Sequence, residues 1–102
     1  MDVRKVNLAE FEALTGGEKP VLVDFYADWC GPCRMLAPTV EQIAAEHPEI
    51  EVCKVNVDEE GALAMRFGIS SIPFLGLLRG GELVASSLGY RTKQEIEQKL
   101  GL

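Results

Sequence analysis

The chain has 102 residues, of which 47% are hydrophobic and 25% charged, a balance typical of one soluble globular domain spanning residues 1–102. Its net charge of -6 repels phosphate backbones and anionic lipids, which argues against nucleic acid and membrane surfaces as partners. No apolar run approaches the ~20 residues of a membrane helix, and residues 1–17 lack the apolar core of a secretory signal. The sequence therefore predicts a cytoplasmic protein.

Turn and cap residues divide the chain into nine predicted elements. In chain order these are a short strand (3–6), a helix (8–15), a strand (20–27), a helix (33–47), a strand (51–57), a short helix (63–67), two strands (73–78 and 82–88) and a final helix that opens at 92. Asn7 with Glu10, and Thr92 with Glu95, have the capping-box pattern that begins a helix, and residues 79–81 form a hairpin turn. This order predicts an α/β fold with a mixed, mostly parallel central sheet, a C-terminal antiparallel hairpin and helices on both faces.

The strongest chemical signal is the stretch DWCGPC at 28–33. It lies between a central strand and the next helix, where open α/β sheets place their functional sites. The positive end of the helix dipole favours the thiolate of Cys30, and Pro32 suits an early helical position. Cys33 shares the apolar face of the helix, so we expect Cys33 to be sheltered and Cys30 exposed. This division predicts that Cys30 attacks a substrate disulfide and that Cys33 then resolves the mixed disulfide.

The alternative reading of the pair is half of a zinc site. Such a site would need Cys53 and His47, yet His47 lies 14 residues beyond Cys33, or about 21 Å along a helix. Cys53 is expected well below Cys30 on a neighbouring strand. The chain has three cysteines, an odd number that argues against a structural disulfide framework. A redox pair is therefore predicted, with no metal and no cofactor, and Cys53 is predicted to fill the core, with regulatory oxidation as the alternative.

Four stretches carry a resemblance to the thioredoxin family: VDFYADWCGPCRMLAP (23–38), KVNVD (54–58), GISSIP (68–73) and RGGE (79–82), with Leu88 and Gly89 further on. Together they span nearly the whole chain. The resemblance implies the thioredoxin fold and a monomeric thiol-disulfide oxidoreductase. Such an enzyme carries electrons from a thioredoxin reductase to disulfides in client proteins. Gly31 and Pro32 fit the reducing members of the family.

The resemblance also implies roles for single residues. Cys30 matches the nucleophile and Cys33 the resolving cysteine. Asp24 matches a buried acid that exchanges a proton with Cys33 through water, and its place in a central strand independently predicts a raised pKa. Lys54 matches the lysine that tunes this acid. The alternatives are an acid in a structural hydrogen bond and a surface lysine.

A second group of residues matches the substrate surface of the family. Pro73 matches a cis-proline beside the cysteines, where the backbone of Ile72 pairs with a substrate strand. Trp29, Ile72 and Gly89 match the apolar surface around the reactive sulfur. For Trp29 the alternative is an ordinary half-buried aromatic residue.

Several positions depart from the family pattern or stay outside it. Tyr26 stands where a second tryptophan is common, and Phe74 stands where threonine is common. Gly76 interrupts a predicted buried strand and should weaken it or admit a close neighbour. Met65 is predicted to lie in the core, and His47 to be an exposed residue at a helix end without catalytic duty.

Two other functions are compatible with the same fold. The domain could serve as a binding module whose apolar surface holds a partner whatever the redox state of the cysteines. It could also oxidise or isomerise disulfides, which would differ from reduction only in redox poise. Gly31 and Pro32 argue against this last function.

Overall fold

The computed structural model describes residues 3–102, and its elements follow the predicted order. They are β1 (Arg4–Lys5), α1 (Leu8–Thr15), β2 (Val21–Tyr26), α2 (Gly31–Glu46), β3 (Glu51–Asn56), α3 (Gly61–Arg66), β4 (Phe74–Arg79), β5 (Glu82–Leu88) and α4 (Lys93–Leu100). Every predicted element is present, with small differences at the ends. Within 3–102 no helix is both long enough and apolar enough to cross a membrane.

The five strands form one mixed sheet in the order β1-β3-β2-β4-β5. β1 and β2 run parallel to β3, whereas β4 runs antiparallel to both β2 and β5. Two of these four strand pairings are parallel and two are antiparallel, so the sheet is mixed but not mostly parallel as predicted. The difference arises because β4 runs antiparallel to β2. The predicted antiparallel hairpin is β4 with β5. β2 lies in the middle of the sheet, so the chain leaves its carboxyl end close to Cys30.

Helices cover both faces of the sheet, as predicted. α2 and α4 pack on one face in a cluster that contains Leu22, Leu36, Ile43, Leu77 and Ile96. α1 and α3 pack on the other face in a cluster that contains Phe11, Val23, Phe25, Val55 and Leu63. Because successive residues of β2 face opposite clusters, this strand must be apolar on both sides, which explains its nearly continuous apolar run.

Both predicted capping boxes are present. The Asn7 side chain accepts a hydrogen bond from the Glu10 N–H at 2.9 Å, and the Glu10 carboxylate accepts one from the Asn7 N–H at 3.0 Å. Thr92 and Glu95 make the same reciprocal pair at the start of α4. These bonds satisfy backbone donors that the first helical turn cannot pair internally. The sequence positions of these two helix starts are thus confirmed.

Met65 is 84% exposed, so its predicted place in the core is wrong. α3 has only six residues, and Leu63 is the one that it buries. Two helical positions further on, a side chain is rotated by about 200° around the axis. Met65 therefore points to solvent when Leu63 points to the core.

Gly76 admits a close neighbour in β4, which is one of the two outcomes expected for it. A Cβ at this position would lie 2.9 Å from Cδ1 of Leu83 and 3.4 Å from Cε1 of Phe74. A larger residue would force these side chains apart, because real Cβ atoms do not approach so closely.

His47 lies at the end of α2 and is less exposed than predicted. Its Nδ1 lies 3.0 Å from a Glu49 carboxylate oxygen and its Nε2 lies 2.8 Å from one of Glu97 in α4. Lys93 joins the same cluster through Glu97 and Glu46. The hydrogen bond with Glu97 is the main cause that raises the pKa of His47, since it favours the charged imidazolium. The cluster ties the end of α2 to α4.

We expect this tie to weaken as the pH rises. The pKa of His47 is higher in the fold than its unfolded value of 6.5, so the charged imidazolium contributes its full stabilisation below pH 6.5. This stabilisation is lost as the pH rises through the folded pKa. His47→Gln should therefore lower the free energy of unfolding by about 1 kcal/mol near pH ~6 and by much less near pH ~9. Urea denaturation at both pH values measures this. Equal destabilisation at both would show that the imidazolium contributes nothing.

Candidate active site

The two cysteines of the CGPC stretch form a closed disulfide at the start of α2, with their Cα atoms 5.2 Å apart. Cys30 is the N-cap residue, and Gly31 and Pro32 are the first residues of the helix. The backbone N–H of Cys33 donates a hydrogen bond to Sγ of Cys30 at 3.2 Å. The helix start therefore directs a donor and its positive dipole end at the Cys30 sulfur.

The expected difference in exposure between the two cysteines is absent. Both are only 4% exposed, so the prediction that Cys30 is exposed is wrong for this oxidised form. Cys30 and Cys33 cluster with Ala27, and the half-buried side chains of Val57 and Ile72 pack against this cluster. Cys30 is buried partly by these two residues, which belong to loops distant from it in the sequence. Its position relative to the apolar face of α2 does not reveal these contacts.

The two sulfurs differ instead in their surroundings. A cavity of about 160 Å³ opens beside the site and is lined by Asp24, Tyr26, Ala27, Asp28, Cys33, Arg34, Ala37 and Lys54. Cys33 forms part of its wall, whereas Cys30 does not. The cavity therefore connects the buried acid with Cys33 and not with Cys30.

Asp24 is the buried acid of this cavity. It is 4% exposed, and its Oδ1 has no hydrogen-bond partner among the described residues. Burial raises the pKa of Asp24 to about 7, although the positive charge of Lys54 lowers it. The alternative of a structural hydrogen bond finds no support at Oδ1. A carboxyl with a pKa near neutrality can both take up and release a proton at physiological pH.

Lys54 lies beside Asp24 in the parallel register of β3 with β2. Its side chain is half-buried and lines the cavity. The ammonium does not form an ion pair with Asp24. Its Nζ lies 5.5 Å from the centroid of the Tyr26 ring, a cation–π distance. Neither this contact nor the role of Tyr26 in it was foreseen from the sequence.

The loop before β4 closes the other side of the site. The Ile72–Pro73 peptide bond is cis, the conformation that the resemblance implies. Gly89 has a φ of 84°, and its N–H donates to the Pro73 carbonyl at 2.8 Å. A positive φ favours glycine, so this residue suits the turn that brings the end of β5 to Pro73.

Trp29 is 69% exposed, so the alternative of a half-buried aromatic residue is wrong. Its Nε1 donates a hydrogen bond to Oδ2 of Asp58 at 2.8 Å. Asn56 accepts the Asp58 backbone N–H at 2.9 Å and so fixes that turn. Asp58 and Asn56 were not predicted as site residues. Their position at the end of β3, where the parallel strand β2 also ends, is the signal that could have identified them.

Arg34 is a further residue of the site that was not predicted from the sequence. Its Nη1 donates to the backbone carbonyl of Asp28 at 2.7 Å. Both residues line the cavity. This bond fastens the first turn of α2 to the loop that leaves β2.

Cys53 lies apart from the site. It is paired in register with Val23, is 1% exposed, and packs in the cluster beneath α1 and α3. Burial raises the pKa of its thiol to about 12. The predicted core position is confirmed. In the part of the chain from 3 to 102, no three His, Cys, Asp or Glu side chains group in a way that could hold a metal ion.

Comparisons with known proteins agree with this geometry. The family model for thioredoxin matches residues 2–101. The thioredoxin of Alicyclobacillus acidocaldarius is 48% identical over 93 residues, which are 90% of this chain and 89% of that protein. The thioredoxin of Streptomyces clavuligerus is also 48% identical, over 89% of this chain and 86% of that protein.

Solved structures give the same result. A structure of Plasmodium falciparum thioredoxin superposes with a TM-score of 0.87 at 34% identity, covering 94% of this chain and 98% of that one. Oxidised mitochondrial thioredoxin 3 of Saccharomyces cerevisiae gives 0.86 at 29% identity, covering 98% and 95%. With its closed Cys30–Cys33 pair at the start of α2, the chain belongs to the thioredoxin family of thiol-disulfide oxidoreductases.

Proposed function

We propose that this chain is a cytoplasmic, monomeric electron carrier that a thioredoxin reductase reduces and that passes two electrons to disulfides in client proteins. Residues 1–102 act as one domain. The observation that carries this proposal is the Cys30–Cys33 disulfide at a helix start, with a backbone N–H donated to the Cys30 sulfur. That arrangement stabilises a thiolate, which is the attacking species in disulfide exchange.

The reaction proceeds in two exchanges. The thiolate of Cys30 attacks one sulfur of the client disulfide, forms a mixed disulfide and releases the other client sulfur as a thiolate. Cys33, as a thiolate, then attacks Sγ of Cys30 and releases the second client thiolate. The client is reduced by two electrons, and the Cys30–Cys33 pair is oxidised. The reductase afterwards restores the dithiol.

Cys30 is assigned as the nucleophile because of its place at the N-cap. A thiolate there faces the unpaired N–H groups of the first turn, and Gly31 and Pro32 keep the turn tight. Cys33 is one turn inside the helix and faces the cavity. The helix start therefore favours a thiolate at Cys30, which makes Cys30 the first attacker and leaves Cys33 to resolve the mixed disulfide.

Asp24 is assigned as the group that exchanges a proton with Cys33. The cavity between them is large enough for water, and its wall includes both side chains. A carboxylate at Asp24 can accept the Cys33 proton when Cys33 must attack, since burial brings the pKa of this acid to about 7. Lys54 tunes Asp24 through its charge.

The client polypeptide is assigned to the surface formed by Trp29, Ile72, Pro73 and Gly89. Trp29 supplies an exposed aromatic ring next to Cys30, and Ile72 packs against the cysteine cluster. Strand addition along the backbone at Ile72 would place a client disulfide near Sγ of Cys30. Apolar contacts on this surface then hold clients of varied sequence.

The experiment that tests the proposal is a measurement of the reduction potential of the Cys30–Cys33 pair. Trp29 fluorescence reports the titration because it is the single tryptophan of the chain, and Cys53→Ser removes the third thiol. We expect a potential below the glutathione poise of the cytosol, which makes the dithiol a donor. A clearly higher potential would instead identify an oxidant or isomerase and overturn the proposed direction of electron flow.

A further inference from the structure

Three side chains of the cavity lie on one face of the sheet and interact. Asp24 and Tyr26 are two residues apart in β2, so their side chains share a face, and Lys54 is the register partner of Asp24 in β3. Nζ of Lys54 lies 5.5 Å from the Tyr26 ring centroid. The ammonium thus lies over the aromatic ring, and its charge acts on the Asp24 carboxyl.

A lysine in this position needs a partner to stay there. Its four-carbon stem has many rotamers, and its ammonium is strongly hydrated, so free lysines extend into solvent. The ring of Tyr26 offers an attractive face at the rim of the cavity. Burial raises the pKa of Tyr26, so the ring remains a neutral phenol at physiological pH.

The other cations near these side chains, Arg34 and Lys5, already have partners. Arg34, which lines the same cavity, donates to the Asp28 carbonyl at 2.7 Å. Lys5, whose charge acts on Tyr26, is paired with Glu59 at 2.9 Å. Lys54 is therefore the cation whose position decides the charge that Asp24 meets.

We propose that Tyr26 is a positioning residue that holds the Lys54 ammonium over its ring and so keeps a positive charge beside Asp24 during the resolving step. The inference rests on the proposed function, because it matters for catalysis only if Asp24 exchanges a proton with Cys33. It deepens that function by giving a role to the residue that stands where the family commonly has a second tryptophan. Attraction between Lys54 and Asp24 falls with their separation, so the ring controls its strength.

The test follows the titration of Asp24 by carboxyl ¹³C NMR in the oxidised protein, where Cys30 and Cys33 do not titrate. Tyr26→Leu removes the ring but keeps an apolar side chain. It should raise the Asp24 pKa by about half a unit, because the Lys54 ammonium would move into solvent and away from Asp24. Tyr26→Phe keeps the ring face and should leave the Asp24 pKa unchanged. Lys54→Met should raise it as well, because the cation is gone.

A double variant separates this mechanism from a simple change in burial. If Tyr26 acts through Lys54, Tyr26→Leu should add no further shift of the Asp24 pKa in a Lys54→Met background. An equal shift in both backgrounds would overturn the proposal, because the ring would then act by shielding Asp24. No shift from Tyr26→Leu in the otherwise unchanged protein would overturn it too.

A measurement on the unsubstituted protein keeps the proposal testable even if a variant does not fold. Protons on the ε-carbon of Lys54 should resonate upfield of those of exposed lysines such as Lys99, because the Tyr26 ring lies beneath them. Ordinary shifts for Lys54 would contradict the contact. These readouts are equilibrium properties of the oxidised chain. A failure of Asp24→Asn to slow the resolving step would remove the proton-transfer role and leave the Tyr26–Lys54 result intact.

Discussion

Cys30→Ser should abolish disulfide reduction, with turnover lower by at least about a thousandfold. A serine hydroxyl is a far weaker nucleophile than a thiolate at neutral pH, and it cannot form the mixed disulfide through which electrons leave the chain. The positive end of α2 and the N–H of Cys33 would then act on a group that does not ionise. Turnover is measured with a disulfide-bonded client protein, a thioredoxin reductase and its electron donor.

Cys33→Ser should fail in a different way. The nucleophile is intact, so the first exchange proceeds and the client stays attached to Cys30 because no second thiol can release it. A covalent adduct of one client per chain is the expected product, detected by mass spectrometry without reductant and lost when dithiothreitol is added. A stable adduct formed by Cys30→Ser instead would reverse the assignment of the two cysteines.

The matched control for both variants is Cys53→Ser. Cys53 is buried in a different cluster, and burial raises its pKa to about 12, so almost none of it is thiolate at neutral pH. Turnover should stay close to that of the unsubstituted chain in this variant. Residual activity in Cys30→Ser that disappears when Cys53 is also replaced would show that Cys53 can act as a nucleophile, contrary to this assignment.

The sequence was sufficient where short-range chemistry decides the structure. The capping boxes that start at Asn7 and Thr92 each need only residues three positions apart, and both form as predicted. The apolar run of β2 needs only its own composition to show that both faces are covered. The CGPC turn likewise places its two cysteines within one helical turn, so its closure could be predicted from spacing.

Other features depend on which segments meet in space, and there the sequence was insufficient. The low exposure of Cys30 comes partly from Ile72, and the hydrogen bond of Trp29 comes from Asp58. The contact of Lys54 with Tyr26 requires the register between β2 and β3. Each of these contacts joins residues far apart in the chain, and no local pattern encodes the distance between them. The fold was thus more predictable than the surroundings of its reactive groups.

Asp24→Asn should stabilise the oxidised fold by about 2–4 kcal/mol near pH ~8. The pKa of this acid is about 7 in the fold and 3.8 in the unfolded chain. Between these values the unfolded chain ionises while the folded carboxyl stays protonated, so stability falls as the pH rises. Above about pH 7 the folded carboxyl is ionised as well, so stability falls no further. The fold then contains a buried carboxylate without a hydrogen-bond partner at Oδ1. Asparagine does not ionise and avoids this loss.

Urea denaturation of both proteins across about pH 4 to 8 measures the effect, with the disulfide closed throughout. The two stability curves should converge at about pH 4, separate as the pH rises to about 7, and keep a constant separation above that. Asp28→Asn is the matched control, since it makes the same chemical change at an exposed residue of the same cavity rim and should leave the curve close to that of the unsubstituted protein. Parallel curves for Asp24→Asn would mean that Asp24 ionises in the fold as it does in the unfolded chain. A carboxylate that destabilises the fold takes up a proton readily, and that property is what Asp24 needs if it accepts the Cys33 proton in the proposed resolving step.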